Sequence, residues 1–148
     1  MKHVSWDEAA KASEELAQKV AASGFNPEFI VGITLGGLIP LTLIAKHLEV
    51  SEVLTIYAKS YDKLEQKELV IKYRPNVDLR NKRVLLVDEI ADSGETLRAV
   101  SKIFVDEYGA DLKTAVLVKK NSCPIEPDFW IIPTDEWVAF PWDEKVTA

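Results

Sequence analysis

The sequence is short of the residues that mark several protein classes. Its 148 residues include one cysteine, Cys123, and two histidines, which excludes an internal disulfide and gives no spacing typical of a zinc site. No long hydrophobic run occurs either, because the longest apolar stretch, around residues 38–45, is too short to span a bilayer. Residues 1–7 lack the apolar core of a signal peptide. These absences predict a cytoplasmic protein with no membrane span.

Positive charge is also scarce. The formal net charge is −6, from 18 Lys and Arg against 24 Asp and Glu, which argues against nonspecific binding to nucleic acid or to an anionic membrane surface. Low-complexity tracts and internal repeats are absent from the sequence. With 47% apolar residues, the chain is long enough to bury one full core. We therefore expect a single domain over residues 1–148 that does not take nucleic acid as a partner.

Strand and helix patterns alternate along most of the chain. A capping box that starts at Ser5, followed by apolar residues at helical spacing, predicts a helix over about residues 6–22. The later segments are, in order, strand 29–33, helix 38–48, strands 53–57, 68–72 and 84–87, a helix from 97 that Gly109 ends, and strand 114–118. This alternation predicts an α/β fold, with a parallel sheet flanked by helices and ligands bound at the carboxyl ends of the strands.

Two segments depart from this alternation. Residues 59–67 are charged and have little apolar periodicity, which predicts a mobile loop. Residues 121–148 hold four prolines and three tryptophans. This composition predicts a small irregular hood over the sheet edge and not a further βα unit.

The most informative stretch is residues 84–97, where an apolar strand ends in two carboxylates, Asp88 and Glu89. Two carboxylates at a strand end can accept hydrogen bonds from a sugar diol or hold a hard divalent cation. The Ser-Gly-Glu-Thr sequence at residues 93–96 then supplies hydroxyls and backbone amides at a helix start, where a phosphate can bind. An ordinary strand, turn and capped helix is the alternative, but capping explains one acid or one hydroxyl and not the whole set. The order of these groups predicts a sugar-phosphate site.

These residues closely resemble the phosphoribosyl pyrophosphate (PRPP) motif of type I phosphoribosyltransferases, in which two acidic residues precede Asp-Ser/Thr-Gly-x-Thr. The resemblance implies the parallel sheet of that family, Mg²⁺ held by Asp88 and Glu89, and a catalytic Asp92 that acts near N7 of a purine. It further implies that PRPP or a nucleotide is bound by Asp88, Glu89, Ala91, Ser93, Gly94, Glu95 and Thr96.

A second glycine loop, residues 34–37, lies between a predicted strand and a predicted helix, so its amides face the same sheet edge. A Gly-Gly turn is weak evidence by itself. In the 6-oxopurine branch of the family, the xanthine-guanine and hypoxanthine-guanine enzymes, a similar loop binds pyrophosphate, usually with a basic residue where this chain has Leu35. The resemblance implies pyrophosphate binding at Leu35, Gly36 and Gly37, and a cis peptide between Leu35 and Gly36.

The charged segment after the third predicted strand contains Ser60-Tyr61, which resembles the flexible lid of the 6-oxopurine branch. Such a lid excludes water from an oxocarbenium-like transition state. The resemblance implies PRPP binding by Ser60, Tyr61 and Lys67, with Lys67 adding positive charge near the pyrophosphate. Periodicity alone favours a solvated hairpin with surface lysines.

The segment 132–143 resembles the purine-binding end of the xanthine-guanine enzymes. The resemblance implies that Trp137 stacks on the base, that Val138 and Asp143 line the edge bearing the 2-substituent, and that Lys119 donates to O6 and N7. Without the resemblance, the residues do not distinguish Lys119 from a surface lysine beside Lys120. Residues 121–148 would then form the purine side of the site, with Trp142 as a core residue.

The resemblance as a whole implies a Mg²⁺-dependent enzyme of purine salvage. It would transfer the 5-phosphoribosyl group of PRPP to guanine, xanthine or hypoxanthine, giving a nucleoside monophosphate and pyrophosphate, as a homo-oligomer (dimer or tetramer). One alternative is a PRPP-sensing regulator of the same fold, for which we would expect an added nucleic-acid surface that the sequence lacks. The other is a phosphoribosyltransferase with a non-purine acceptor, which Leu35 leaves open.

Overall fold

The structure is a computed structural model that describes residues 1–64 and 66–144. Its strands are β1 Lys2–His3, β2 Phe29–Thr34, β3 Val53–Lys63, β4 Gln66–Tyr73, β5 Arg83–Ala91, β6 Asp111–Lys120, β7 Phe129–Thr134 and β8 Val138–Ala139. Its α-helices are α1 Trp6–Ala22, α2 Leu38–Leu48 and α3 Glu95–Lys102, with a π-helical turn Ile103–Glu107 and a 3₁₀ turn Pro141–Asp143.

A six-stranded sheet in the order β4-β3-β2-β5-β6-β7 forms the centre of the molecule. Only the pair β3 and β4 is antiparallel among these neighbours. Helices α1 and α2 pack on one face, and α3 packs on the other. The predicted α/β sheet flanked by helices is confirmed. Among the described helices, none has the length and apolar character needed to cross a membrane.

The first two helices have the predicted bounds because their signals are local. Ser5 Oγ accepts the amide of Glu8 at 3.0 Å, which caps α1 as the capping box requires. Helix α1 also buries one apolar stripe, which includes Leu16 and Val20, against the sheet. Helix α2 spans the predicted residues 38–48.

Strand β5 is apolar on both sides because it lies in the middle of the sheet. Leu85 and Val87 pack towards α1 and α2, whereas Val84 and Leu86 pack towards α3, and all four are fully buried. The strand runs further than predicted, since it pairs with β6 as far as Ala91 but with β2 only as far as Val87. The part of β5 beyond Val87 therefore has no strand neighbour on its β2 side, and the sheet opens there into a cleft.

The predicted mobile loop at residues 59–67 is wrong. Residues 59–63 continue β3 and pair with β4 in an antiparallel hairpin, with Ser60 opposite Leu69 and Tyr61 opposite Glu68. The backbone ladder stabilises this strand although the side chains of residues 59–61 are exposed, so charge at these positions does not indicate a loop. This geometry agrees with the alternative of a solvated hairpin. Glu65, at the tip, lies outside the described residues.

The C-terminal segment contains a strand that the sequence did not predict. Phe129–Thr134 forms β7, an edge strand parallel to β6, although residues 121–128 between them contain no helix. An edge strand tolerates Pro133, because the missing N–H can face away from the neighbouring strand. After β7 the chain is irregular except for β8, which pairs in parallel with β1 and ties the first residues to this segment.

Candidate active site

The two acids of the motif lie on β5 beyond Val87, where the sheet opens. Both side chains are half-buried, and Asp88 Oδ1 accepts the amide of Glu89 at 2.8 Å. Burial raises the pKa of the Asp88 carboxyl to about 7; the hydrogen bond from the Glu89 amide opposes this rise, and the Glu89 charge adds to it. The strand therefore carries an acid that is held partly out of water at the cleft.

Glu89 is enclosed from two directions. Trp142 donates its indole N–H to Glu89 Oε2 at 2.5 Å. The backbone of residue 36 packs against the same carboxyl group. A Cβ atom there would overlap it, so only glycine fits at that position without displacing the Glu89 side chain. Burial raises the pKa of Glu89; the Trp142 hydrogen bond opposes this rise and the charge of Asp143 adds to it.

The glycine loop at residues 34–37 packs tightly against the sheet. Its cis peptide joins Thr34 to Leu35, so the predicted position between Leu35 and Gly36 is wrong by one residue. The Gly37 amide donates to the Ile33 carbonyl at 2.9 Å, as part of the tight turn into α2, so that amide is already in use. The Leu35 side chain is 79% exposed and supplies no charge.

The loop after β5 turns at Gly94, whose φ of +82° favours glycine. A Cβ there would lie 3.0 Å from Cys123 Sγ, so the turn also packs closely on the chain after β6. Ser93 Oγ accepts the amide of Glu95 at 3.3 Å, at the start of α3. Ala91 is buried in the core, so its backbone alone is available to a ligand.

A cavity of about 720 Å³ joins the acids, the glycine loop and the β3–β4 hairpin. Its lining includes seven of the predicted site residues, which are Leu35, Gly36, Ser60, Asp88, Glu89, Thr96 and Asp143. It also includes residues that the sequence did not identify as site residues, which are Ile33, Thr34, Tyr57, Ala58 and Lys59. A smaller cavity of about 190 Å³ is lined by residues 88–94, Thr96 and Leu97. The hydroxyls of Ser60 and Thr96 lie 3.4 Å apart, which brings the β3–β4 hairpin close to the first turn of α3.

The two neighbouring lysines at the end of β6 face different partners. The ammonium of Lys119 lies 3.4 Å from Glu126 and 5.7 Å from the centre of the Trp130 ring, and it does not line either of the two cavities described above. The ammonium of Lys120 lies 3.9 Å from Asp92 Oδ1, and its side chain is only 10% exposed. Successive residues of a strand point to opposite faces, so the alternation itself was the signal that one of the two faces the motif.

The other predicted base-binding residues are spread along the C-terminal segment. Asp143 lines the large cavity, and its Oδ2 accepts the amide of Phe140 at 2.9 Å. Trp137 is 70% exposed and lies outside that lining. The Val138 side chain is buried in the core, so only its backbone is available to line a base pocket.

The hairpin contributes less than predicted to the cavity lining. Tyr61 is on β3, outside the cavity, with the Lys59 ammonium 5.3 Å from the centre of its ring. Lys67 belongs to β4, but its side chain lies outside the described residues.

The donor set fits a divalent cation that is shared with a substrate. Asp88, Glu89 and Asp143 bring carboxylate oxygens, the ligands that Mg²⁺ prefers, to one cavity. Over residues 1–64 and 66–144, no group of three or more His, Cys, Asp or Glu side chains is arranged to hold a metal alone. Mg²⁺ is commonly held by one or two carboxylates together with substrate phosphates. The raised pKa values of Asp88 and Glu89 indicate buried negative charge that a cation would offset.

Parallel strands, acids at the opening of the central strand and a hydroxyl-rich turn at a helix start define a protein that binds a sugar phosphate. The chain belongs to the phosphoribosyl transferase domain family, whose model matches residues 4–148. The family inferred from the motif is thereby confirmed.

Individual relatives narrow this assignment. The chain is 32% identical over 147 residues to the xanthine-guanine phosphoribosyltransferase of Cereibacter sphaeroides, a match covering 95% of this chain and 86% of the relative. The structure of a purine phosphoribosyltransferase from Pyrococcus horikoshii Ot3 has a TM-score of 0.86 at 32% identity, covering 100% of this chain and 99% of that one. The Helicobacter pylori xanthine-guanine-hypoxanthine phosphoribosyltransferase has a TM-score of 0.85 at 33% identity, covering 95% and 92%.

Proposed function

We propose that this chain transfers the 5-phosphoribosyl group of PRPP to a 6-oxopurine base, forming a nucleoside monophosphate and pyrophosphate in purine salvage. The observation that carries the proposal is the cavity of about 720 Å³, in which the two acids, the glycine loop, Thr96 and Asp143 face one space. The named relatives support the same reaction.

In the proposed complex, the residues of β5 and the following turn hold the sugar phosphate. Asp88 and Glu89 accept hydrogen bonds from the ribose diol, while the amides and hydroxyls of residues 93–96 bind the 5-phosphate. Leu35 and Gly36 offer backbone amides to the pyrophosphate, and Gly37 supports their turn. Mg²⁺, when bound at Asp88 and Glu89, neutralises charge on the departing pyrophosphate.

Asp92 is proposed to act on the proton at N7 of the base. The ammonium of Lys120 lies 3.9 Å from its carboxylate. The reaction develops positive charge at the anomeric carbon and negative charge on pyrophosphate. Positioning and electrostatic stabilisation therefore provide most of the acceleration, with proton transfer secondary.

The base is proposed to stack on Trp137, with the Val138 backbone and Asp143 along the edge that carries the 2-substituent. Lys119 is proposed to donate to O6 and N7, which requires its ammonium to leave Glu126. Glu126 is 68% exposed, so water can solvate its carboxylate when the ammonium of Lys119, itself 12% exposed, turns to the base.

We further propose that the β3–β4 hairpin closes over the reactants, with Ser60, Tyr61 and Lys67 contacting PRPP. The chain then acts as one domain over residues 1–148, with 121–148 forming its purine side. It would work in the cytoplasm as a dimer or tetramer, and size-exclusion chromatography with light scattering tests the oligomer.

A panel assay with PRPP and Mg²⁺ tests the reaction. Guanine, xanthine and hypoxanthine are expected to be converted to nucleoside monophosphates, with adenine, orotate and uracil at least tenfold slower. Turnover of orotate, uracil or adenine alone would refute the 6-oxopurine assignment. Binding of PRPP without turnover of any base, together with specific binding of RNA or DNA, would support a regulator instead.

A further inference from the structure

The carboxyl group of Glu89 is held in one orientation by its contacts, although it lies at an open cleft. One oxygen accepts the indole N–H of Trp142 at 2.5 Å, and the backbone of Gly36 lies so close to the same carboxyl group that a Cβ atom there would overlap it. Asp143, the residue after Trp142, adds negative charge nearby. A half-buried carboxylate beside a like charge depends on a donor for its orientation, and the indole is that donor.

The indole is itself fixed by packing. Its ring stacks on Phe140 with centroids 4.9 Å apart and planes 10° apart, and it meets Trp6 at 5.9 Å in a tilted contact. Phe140 is buried in the core, and its amide donates to Asp143, which closes the 3₁₀ turn that carries Trp142. The N–H therefore reaches Glu89 from a rigid support.

Glu89 and Trp142 also belong to different halves of the proposed site. Glu89 lies with the sugar-phosphate residues of β5, whereas Trp142 lies in the C-terminal segment between Trp137 and Asp143. The hydrogen bond is thus a direct link between the two halves, made by residues 53 positions apart in the chain.

We propose that Trp142 is a positioning residue, whose indole N–H holds the Glu89 carboxylate in the orientation that grips the ribose of PRPP and its Mg²⁺. This role rests on the proposed function. The N–H matters beyond the ring, because phenylalanine would keep most of the stacking on Phe140 but could not donate to Glu89.

The test compares Trp142→Phe with Trp6→Phe in the full chain. Trp6 touches the same ring but makes no hydrogen bond to Glu89 and lies mostly in solvent, so its variant controls for lost aromatic contact. Calorimetric binding of PRPP with Mg²⁺, in the absence of base, is measured beside steady-state KM values and thermal melting. Trp142→Phe is expected to weaken PRPP binding about tenfold, as for loss of a charge-assisted hydrogen bond. The KM of the base should change less than about twofold, and Trp6→Phe should match the wild type.

A double-mutant cycle assigns the effect to Glu89. In a Glu89→Ala background, Trp142→Phe is expected to change PRPP affinity by less than about twofold, because the group it orients is gone. An equal loss in both backgrounds, unchanged PRPP affinity in Trp142→Phe, or an equal loss in Trp6→Phe would each overturn the proposal. If any one of these three results is obtained and the wild type converts 6-oxopurines, only the role proposed for Trp142 is refuted. A wild type with no turnover refutes the proposed function and this role with it.

Discussion

The sugar-phosphate side and the base side of the site are built by different means. On the sugar-phosphate side, comprising residues 34–37 and 88–96, glycine contacts and strand pairing fix the backbone, and the acids are half-buried. On the base side, Trp137 is 70% exposed and Lys119 faces Glu126. The comparison teaches that backbone packing assembles the first side, whereas on the second side Lys119, although only 12% exposed, is paired with Glu126 and Trp137 lies in solvent, so a ligand must draw these two side chains to the base.

The largest effect should come from Asp92, which lies on the sugar-phosphate side and is proposed to act on the base. Asp92→Asn keeps the size of the side chain but removes the proton acceptor, so we expect kcat to fall at least about 100-fold. Affinity for PRPP, measured by calorimetry, should change by less than about threefold. Turnover close to that of the wild type would remove Asp92 from its proposed role.

The two lysines of β6 give a matched pair that sharpens the comparison. Lys119→Ala should raise the KM of guanine about tenfold, as expected for a lost charged hydrogen bond, with little change in kcat. Lys120→Ala should instead lower kcat, because its ammonium lies 3.9 Å from Asp92, and the two variants should lose melting temperature to a similar degree, because the side chains of Lys119 and Lys120 are 12% and 10% exposed. If Lys120→Ala raised the KM of the base and Lys119→Ala did not, the proposed base contact would move to Lys120.

The smallest expected effect is on the stability of the protein. It tests whether ionisation of the Asp88 carboxyl destabilises the folded state. The folded pKa of Asp88, about 7, lies above its ordinary value of 3.8, so the folded protein binds this proton more tightly than the unfolded chain. The stabilisation it gives is complete below about pH 4 and is lost as the pH rises through 7.

Asp88→Asn removes this cost while keeping the shape and the acceptor for the Glu89 amide. At pH 8 in EDTA the variant should therefore be more stable than the wild type by about 1–2 kcal/mol, or roughly 3–6 °C in Tm. The difference should shrink towards pH 5. Equal stability of the wild type and the variant at pH 8, measured by calorimetric melting, would show that the ionised Asp88 carboxylate does not destabilise the fold.

The parts of the fold that sequence could predict are those with local causes. The bounds of α1 follow from Ser5 and one apolar stripe. Residues 84–97 contain both the two carboxylates and the hydroxyl-rich turn at residues 93–96 in one contiguous segment. The sequence predicts too early an end for β5, because Asp88 and Glu89 interrupt its apolar run and the residues beyond Val87 are paired only with β6. Local apolar periodicity does not predict β7 or the solvated half of β3 either, because backbone pairing stabilises them, with β6 for β7 and with the adjacent β4 for β3.

The same distinction holds in the site. The loop at 34–37 and the motif at 88–96 carry their chemistry in consecutive residues. The bond from Trp142 to Glu89 spans 53 positions, and nothing in the local sequence separates an indole that donates into the site from one that fills the core. Lys59 directly precedes the Ser60-Tyr61 pair in the sequence, but only the fold places it in the cavity lining.

The pairing of β1 with β8 joins residues 2–3 to residues 138–139. During synthesis, strand β5 has both of its strand neighbours once β6 has left the ribosome, whereas the turn at Gly94 packs on Cys123 and Ile125, which follow β6. Trp137 takes its place only after the last strand has returned to the first. Trp142 and Asp143 follow later still, so the growing polypeptide completes both sides of the site only when its carboxyl-terminal segment has docked, and damage there would impair the grip on the ribose as well as the surface for the heterocycle.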